Sequence, residues 1–355
     1  MEYKSSGKRG TFFDGKRTVK NFLTILLICT LFSLCAETVT ERENRIKALL
    51  TEVDYPCSFD DSKQKAYLYL AKGDAPRPLV VALHTWSGNY KQNCADFAEF
   101  CMENNWNFIF PNFRGPNWTP QACGSEAVVA DIRDAAEYMK KIAKVDPDRV
   151  YLIGGSGGGF ATLLMAARYP EMWTAVSAWC PISDLAKWHD ECFRKNVGYY
   201  KHMRAAFGGD PATDPKAKAE AVKRSPVTYL NPEISCTVDI STGIRDTLVP
   251  ISHALNAYNL LVDPADRIAA QDIELMQKNF QIPAKFGIPE DDPAFKAHKV
   301  LFRKQANRAR ITLFVGGHNI LGKTGLEWLS RQSRKKPADW TPGRMTAKQS
   351  SELGR

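Results

Sequence analysis

Long apolar runs are scarce in this chain. The run Phe22 to Leu34 spans thirteen residues, short of the roughly twenty a helix needs to cross a bilayer. No unit recurs at a fixed period, which excludes a solenoid or propeller array. No cysteine pair stands at C-x-x-C and no H-E-x-x-H occurs, so zinc sites legible from spacing are excluded. No metal or cofactor is therefore expected. The net charge of +9 is also absent from most of the chain: residues 1–36 hold six basic against two acidic side chains and residues 331–355 seven against two, leaving 37–330 balanced. No basic groove is implied, and nucleic acid is not an expected partner.

What is present is one glycine cluster. Val150-Tyr151-Leu152-Ile153, a run of β-formers, leads into Gly154-Gly155-Ser156-Gly157-Gly158-Gly159, and Phe160, Leu163, Leu164 and Ala167 follow at helical spacing. Residues 154–158 fit G-x-S-x-G, the nucleophile elbow. A serine hydroxyl attacks only when it is exposed beside a base and near donors for an oxyanion. A sharp strand-to-helix turn presents it so, and such a turn has little room for Cβ atoms. The helix start behind Ser156 adds partial positive charge. A nucleotide loop fails on spacing, because this cluster has neither G-x-G-x-x-G nor a following Lys. The remaining alternative is a tight structural turn.

Residues 1–36, with Lys16, Arg17 and Lys20 ahead of the apolar run, fit a signal peptide or N-terminal anchor. Export is the expectation: periplasmic, secreted, or anchored outside the cytoplasm, with membrane contact only through this segment. Seven cysteines follow it (57, 94, 101, 123, 180, 192 and 236), an odd number that leaves at least one thiol free. Cys180 ends one expected parallel strand and Cys236 begins the next. They lie about a strand's length apart and should not pair.

Along the body, strands are expected at Lys65–Ala71, Leu79–Leu83, Trp106–Phe110, from Val150, at Ala175–Trp179, Cys236–Ser241 and Ile311–Val315. Helices are expected over Gln92–Asn104 and Gly124–Val145. This alternation predicts an α/β fold, a mostly parallel central sheet flanked by helices, in one catalytic domain over 37–334. Two insertions interrupt it: an irregular, lid-like stretch at 181–232 and a helical one at 262–307. The Pro-, Ser- and charge-rich stretch 335–355 reads as a disordered basic tail.

Parallel strands present their C-terminal ends together. After the Cys236 strand comes Gly243-Ile244-Arg245-Asp246-Thr247-Leu248-Val249-Pro250, and after the Ile311 strand Gly316-Gly317-His318. Nucleophile, acid and base then stand in the order this fold requires: Ser156 attacks, His318 carries the proton, and Asp246 fixes its tautomer. The three motifs resemble the catalytic domain of prolyl-oligopeptidase-type serine hydrolases of the α/β-hydrolase fold over roughly residues 65–332. Asn112-Phe113-Arg114-Gly115 is similar to that branch's D-Y-R-G stretch, with Asn for Asp.

The resemblance implies an oxyanion hole from the Gly157 N–H and a donor on His84-Thr85-Trp86, placed at Trp86, with His84 orienting the loop. Trp86, Trp118, Trp179 and Trp188 fall near loops at the catalytic edge, and the last three are candidate substrate-binding residues. His189 and His202 read as solvated lid residues, His253 as structural and His298 as uninvolved. About 28 residues separate the expected cleavage point from the first strand, too few for the family's β-propeller. The expected activity is therefore hydrolysis of a small-molecule ester through an acyl-enzyme. A serine peptidase acting on short peptides is the alternative, and a catalytically silent binding protein on the same fold the third reading.

Overall fold

A computed structural model describes residues 37–343; the expected signal peptide and residues 344–355 of the expected tail lie outside the described residues. The chain divides into two compact units at Arg45/Ile46. Helix α1 (Val39–Ala48), which starts in the described part of the first and runs across this boundary, begins with a capping box. Glu41 N donates to Thr38 Oγ1 at 3.2 Å and Thr38 N to Glu41 Oε2 at 2.8 Å.

The second unit is built on a nine-stranded sheet. Its strands are β1 (Thr51–Pro56), β2 (Lys63–Tyr69), β3 (Arg77–Leu83), β4 (Asn107–Pro111), β5 (Val145–Gly155), β6 (Ala175–Trp179), β7 (Thr237–Gly243), β8 (Val300–Ala306) and β9 (Ala309–Phe314), in the order β1-β2-β4-β3-β5-β6-β7-β9-β8. Contacts from β4 through β9 are parallel. The β1/β2, β2/β4 and β8/β9 contacts are antiparallel and close the two edges.

The central strands are continuously apolar because both faces are covered. Leu79, Val81 and Leu83 of β3 enter one core with helices α3 (Glu126–Ile142) and α4 (Gly157–Arg168), through Val128, Ile132, Leu163 and Leu164. Val80 and Ala82 face the other core, with α2 (Ala95–Glu103) and α10 (Gly322–Leu329). Strand alternation thus feeds two cores from one five-residue run.

Three expectations are corrected. The 181–232 stretch is not irregular: it folds as α5 (Leu185–Arg194), α6 (Tyr199–Phe207) and α7 (Pro215–Arg224), with Leu185, Trp188, Met203, Ala217 and Ala221 joining the core. The 262–307 stretch, which follows α8 (Ser252–Leu261), holds the helix α9 (Ala270–Asn279) but ends in edge strand β8. Of the expected tail, the described residues 335–343 are ordered. Trp340 stacks on Trp328 at 5.4 Å, and the Arg310 guanidinium lies against both indoles, 5.3 and 5.2 Å from their centroids. Arg310 also pairs with buried Asp239 at 2.7 Å. The seven cysteines of the body are unpaired and buried. Cys180 N bonds Ser241 O, at the opposite end of β7 from Cys236, in accord with the expectation that the two do not pair.

Candidate active site

Register sets the site. Gly155 of β5 stands opposite Trp179 of β6, Trp179 opposite Ser241 of β7, and Gly243 opposite Phe314 of β9. Ser156, Asp246 and His318 each follow within a few residues, on one edge of the sheet. Ser156 has φ 57° and ψ −119°, a conformation that non-glycine residues rarely hold without support. Its N–H donates to Trp179 O at 2.8 Å, and its carbonyl accepts from Phe160 N at 2.9 Å, starting α4. The glycines around it are steric requirements. A Cβ on Gly154 would meet Gly158 C at 2.5 Å, and one on Gly158 would meet Leu83 O at 2.5 Å.

The acid and base loops are pinned to one another. Ile244 N donates to Phe314 O and Arg245 N to Gly316 O, each at 2.9 Å. A Cβ on Gly243 would stand 2.5 Å from Gly316 C, so the close approach needs glycine. The outcome is a 2.7 Å contact from His318 Nδ1 to Asp246 Oδ2. The second carboxylate oxygen of Asp246 accepts from Leu248 N at 3.0 Å and Val249 N at 2.9 Å. With these acceptors satisfied, the buried carboxylate holds the Nδ1–H tautomer and leaves Nε2 as the base nitrogen. His318 Nε2 is buried without a partner; the hydrogen bond to Ser156 is not made here, as in many unliganded hydrolases.

A group that spacing did not reveal adjoins the pair. Cys180 follows β6 at φ 45°, and its Sγ lies with ligand atoms of Asp246 and His318 inside a 4.8 Å cluster. Burial, then the Asp246 charge, pushes its thiol well above the usual range, so it stays protonated, with Sγ 3.3 Å from Asn319 O. This is the one Cys/Asp/His group among the described residues close enough to hold a cation. Its Asp246 oxygens already accept from His318 and two backbone amides, and the Cys180 thiol keeps its proton.

Opposite this pair, the oxyanion loop touches the start of α4. A Cβ on Gly157 would lie 2.5 Å from Trp86 Cα and closer still to Trp86 N, so the two backbone N–H groups named from the sequence are neighbours. Gly157 opens its helix, where the N–H lacks an intrahelical acceptor. Thr85 N and Oγ1 both donate to Gln92 Oε1, at 3.0 and 2.9 Å. His84 lies under the loop, stacked on Phe113 at 3.8 Å, with Nδ1 2.9 Å from Thr85 O and Nε2 2.8 Å from Asn112 O. Burial lowers its pKa to about 4 against the pull of these carbonyls. Arg114, in the stretch similar to D-Y-R-G, bonds Asp60 and Asp131 and serves as a clamp.

Sequence reasoning missed Asn117. Its N and Nδ2 both donate to Trp86 O, at 2.9 and 3.1 Å, while its Oδ1 accepts from Cys123 N at 3.0 Å. A buried amide engaged on both sides fixes the Trp86 peptide. The substrate-binding role expected of Trp179 and Trp188 is corrected. Trp179 is fully buried against Phe295 and Phe314, and Trp188 is buried edge-on to Trp86 with its N–H on Leu248 O. Of the three candidate substrate residues only Trp118, 40 % exposed, presents a ring outward. His189 is buried rather than solvated, accepting from Arg204 Nε at 3.1 Å. His202 is half-buried, between Trp118 and Tyr199. His253 links Glu191 at 3.0 Å to the start of α5.

Gly317–Thr324 also fits G-x-x-x-x-G-K-T between a strand and a helix, a phosphate-loop spacing. Here Lys323 pairs with Glu99 at 2.8 Å and Thr324 Oγ1 bonds Ala294 O at 2.8 Å, while His318 occupies the loop. The match carries no phosphate cradle.

Residues 105–279 match the model of the prolyl oligopeptidase family. Acylamino-acid-releasing enzyme 1 of Oryza sativa subsp. japonica is 25% identical over 206 residues, 52% of this chain and 25% of its own length. The probable acetylxylan esterase A of Aspergillus clavatus is 25% identical over 196 residues, 48% of this chain and 62% of its own. Among solved structures, the acylaminoacyl peptidase of Pyrococcus horikoshii superposes with TM-score 0.56 at 12% identity, covering 82% of this chain and 43% of that one. A puromycin-hydrolyzing peptidase of Mycobacterium tuberculosis gives 0.53 at 18%, covering 82% and 39%. The chain thus spans a quarter of the Oryza relative's length and under half of these solved chains. Together with the elbow, the pinned acid–base loops and the sheet order, these likenesses show that the described domain has the α/β-hydrolase fold and resembles the catalytic domain of the prolyl oligopeptidase family.

Proposed function

We propose that this protein hydrolyses esters of small acids through an acyl-enzyme on Ser156. Ser156 Oγ attacks the acyl carbon as His318 Nε2 takes its proton, and Asp246 stabilises the imidazolium. The N–H groups of Gly157 and Trp86 receive the oxyanion. Collapse expels the alkoxide as His318 returns the proton, and water then repeats the sequence on the acyl group. The observation that carries this reading is the convergence on one sheet edge of a serine held at φ 57° and a 2.7 Å His318–Asp246 pair.

The ester preference rests on the acyl side. Helices α5 to α7 bury Trp188 against Trp86 and leave Trp118 and Tyr199 as the partly open rings nearby. That surface can shape a compact acyl group but gives a long peptide few fixed points. Amide cleavage also demands accurate protonation of the leaving nitrogen. The peptidase alternative keeps support from the family match and the acylamino-acid-releasing relatives. Paired p-nitrophenyl esters and p-nitroanilides of the same acyl group, each rate divided by its uncatalysed rate, decide between them. A corrected ratio favouring the amide overturns the ester reading. Fluorophosphonate labelling that misses Ser156 overturns both. Export through the basic and apolar residues 1–36 is part of the proposal; finding the protein with an intact N-terminus in the cytoplasmic fraction refutes it.

A further inference from the structure

We propose that His202 is a positioning residue, a latch by which helix α6 holds the side chain of Trp86 and so aims the oxyanion-loop N–H. The inference rests on the oxyanion role proposed above for Trp86. The Trp86 indole is buried among Phe160, Trp188 and Tyr199, at ring separations of 6.2, 4.7 and 6.3 Å. Its one polar side-chain atom, Nε1, donates to His202 Nδ1 at 3.3 Å. A buried indole N–H without a partner is costly, so this bond decides whether the ring rests in its slot.

Trp86 is then gripped twice, at its carbonyl by Asn117 and at its indole by His202. A residue fixed at both places has little freedom to turn its N–H away from Gly157. The preceding helix of the same cover, α5, is tied to the acid loop as well. Trp188 Nε1 bonds Leu248 O at 3.1 Å and Lys195 Nζ bonds Thr247 O at 2.9 Å. The helical cover thus touches both the oxyanion side and the acid side of the site.

The latch has a chemical signature. An indole N–H can only donate, so His202 Nδ1 carries the lone pair and Nε2 the proton. Protonation puts a hydrogen on Nδ1, facing the indole hydrogen, and the bond is lost. The groups packed on the imidazole are the Trp86 and Trp118 indoles and the Tyr199 phenol. On its own helix, Lys201 lies over the Tyr200 ring, and Arg204 pairs with Asp210 and bonds His189. No carboxylate is among these ring contacts to favour the charged form, and burial lowers the pKa of His202 below its ordinary value. The latch is therefore closed at neutral pH and opens below it.

The test is the acid limb of kcat/KM for a short-acyl p-nitrophenyl ester, measured on the full chain between about pH 4.5 and 7.5. In the unaltered protein, protonation of His202 adds its own loss of activity on the acid limb, so log kcat/KM falls more steeply with pH than it does when residue 202 keeps an acceptor that does not titrate. His202→Gln offers an oxygen that accepts the indole N–H and does not titrate. It should keep neutral-pH kcat within about threefold and show the shallower slope. His202→Leu should lower neutral-pH kcat by about tenfold or more with a smaller change in KM. The Trp86 Nε1–H signal in a ¹H–¹⁵N spectrum, assigned with Trp86→Phe, should shift with pH in the unaltered protein and stay put in His202→Gln. If Ser156 is labelled by fluorophosphonate but the two proteins share one slope and one pH-invariant indole signal, the latch is wrong and the hydrolase reading stands. If Ser156 is not labelled, the hydrolase reading itself fails.

Discussion

Gly157→Ala tests the oxyanion geometry most directly. Gly157 opens α4 with its Cα against the oxyanion loop, and an added methyl would lie 2.5 Å from Trp86 Cα and 3.0 Å from Thr85 C. Ordinary carbon contacts begin near 3.5 Å, so loop and helix must part by about 1 Å. The obstruction is backbone, which cannot rotate aside as a flexible side chain can, and Asn117 holds Trp86 from the far side. Overpacking of this kind costs about 1–3 kcal/mol of stability, which a domain with two cores can absorb. The catalytic cost is larger. A 1 Å misplacement costs about 10²-fold, and losing one oxyanion donor about 10²–10³-fold. Kcat should thus fall about 10²–10³-fold while KM moves little, because the donors act on charge that appears only in the transition state. Steady-state kinetics on a p-nitrophenyl ester, beside a thermal melt confirming the folded state, reads this out. A folded Gly157→Ala protein with kcat within threefold of the parent would show that Trp86 and Gly157 do not form the hole.

The other predictions concern chemistry, core and pH. Ser156→Ala, His318→Ala and Asp246→Asn should each lower kcat by about 10³-fold or more, with combined losses far below the product of the single ones; additive losses in double variants would refute a triad. Asp239→Ala strands the Arg310 guanidinium in the core and should cost about 3–5 kcal/mol in a urea melt; a loss below about 1 kcal/mol would mean that the two tryptophans suffice to hold it. His84 has a folded pKa of about 4, below its unfolded value of about 6.5. The unfolded chain therefore takes up the proton first: the contribution is whole above about pH 6.5, declines towards pH 4 and changes little below. That loss is about 3 kcal/mol, and His84→Gln should flatten this part of the stability–pH curve, an equally steep curve in the variant ruling His84 out as its source.

The elbow and the acid and base loops were legible because each is a local steric demand. Gly154, Gly158 and Gly243 stand where a Cβ would strike backbone, and sequence displays such demands as glycine. Strands β3, β5 and β6 were equally plain, being apolar on both faces. Edge strands β1 and β8 were not. Their residues alternate poorly and stay partly exposed, so their pairing with β2 and β9 comes from the sheet rather than from their own composition. Trp179 and Trp188 were misplaced for a related reason: closeness to a loop in sequence does not fix which side of the backbone a ring takes. Trp179 turns into the core below Phe314, and Trp188 is covered by α6. Asn117, Cys180 and His202 carried no spacing signal, since their partners are 31, 139 and 116 residues away.

The register that aligns Gly155 with Trp179, Trp179 with Ser241 and Gly243 with Phe314 has a consequence for how the molecule comes to life. Acid and base lie 72 residues apart in the chain, and the nucleophile is farther still from the base. They meet only when β5, β6, β7 and β9 are all in place. Contacts of such sequence separation form late, after the loop-closure entropy has been met. Reactivity at Ser156 is therefore a clock for the last stage of folding: during refolding, labelling by a fluorophosphonate should lag behind the return of helix signal, and a partly assembled sheet should be unreactive however much secondary structure it contains.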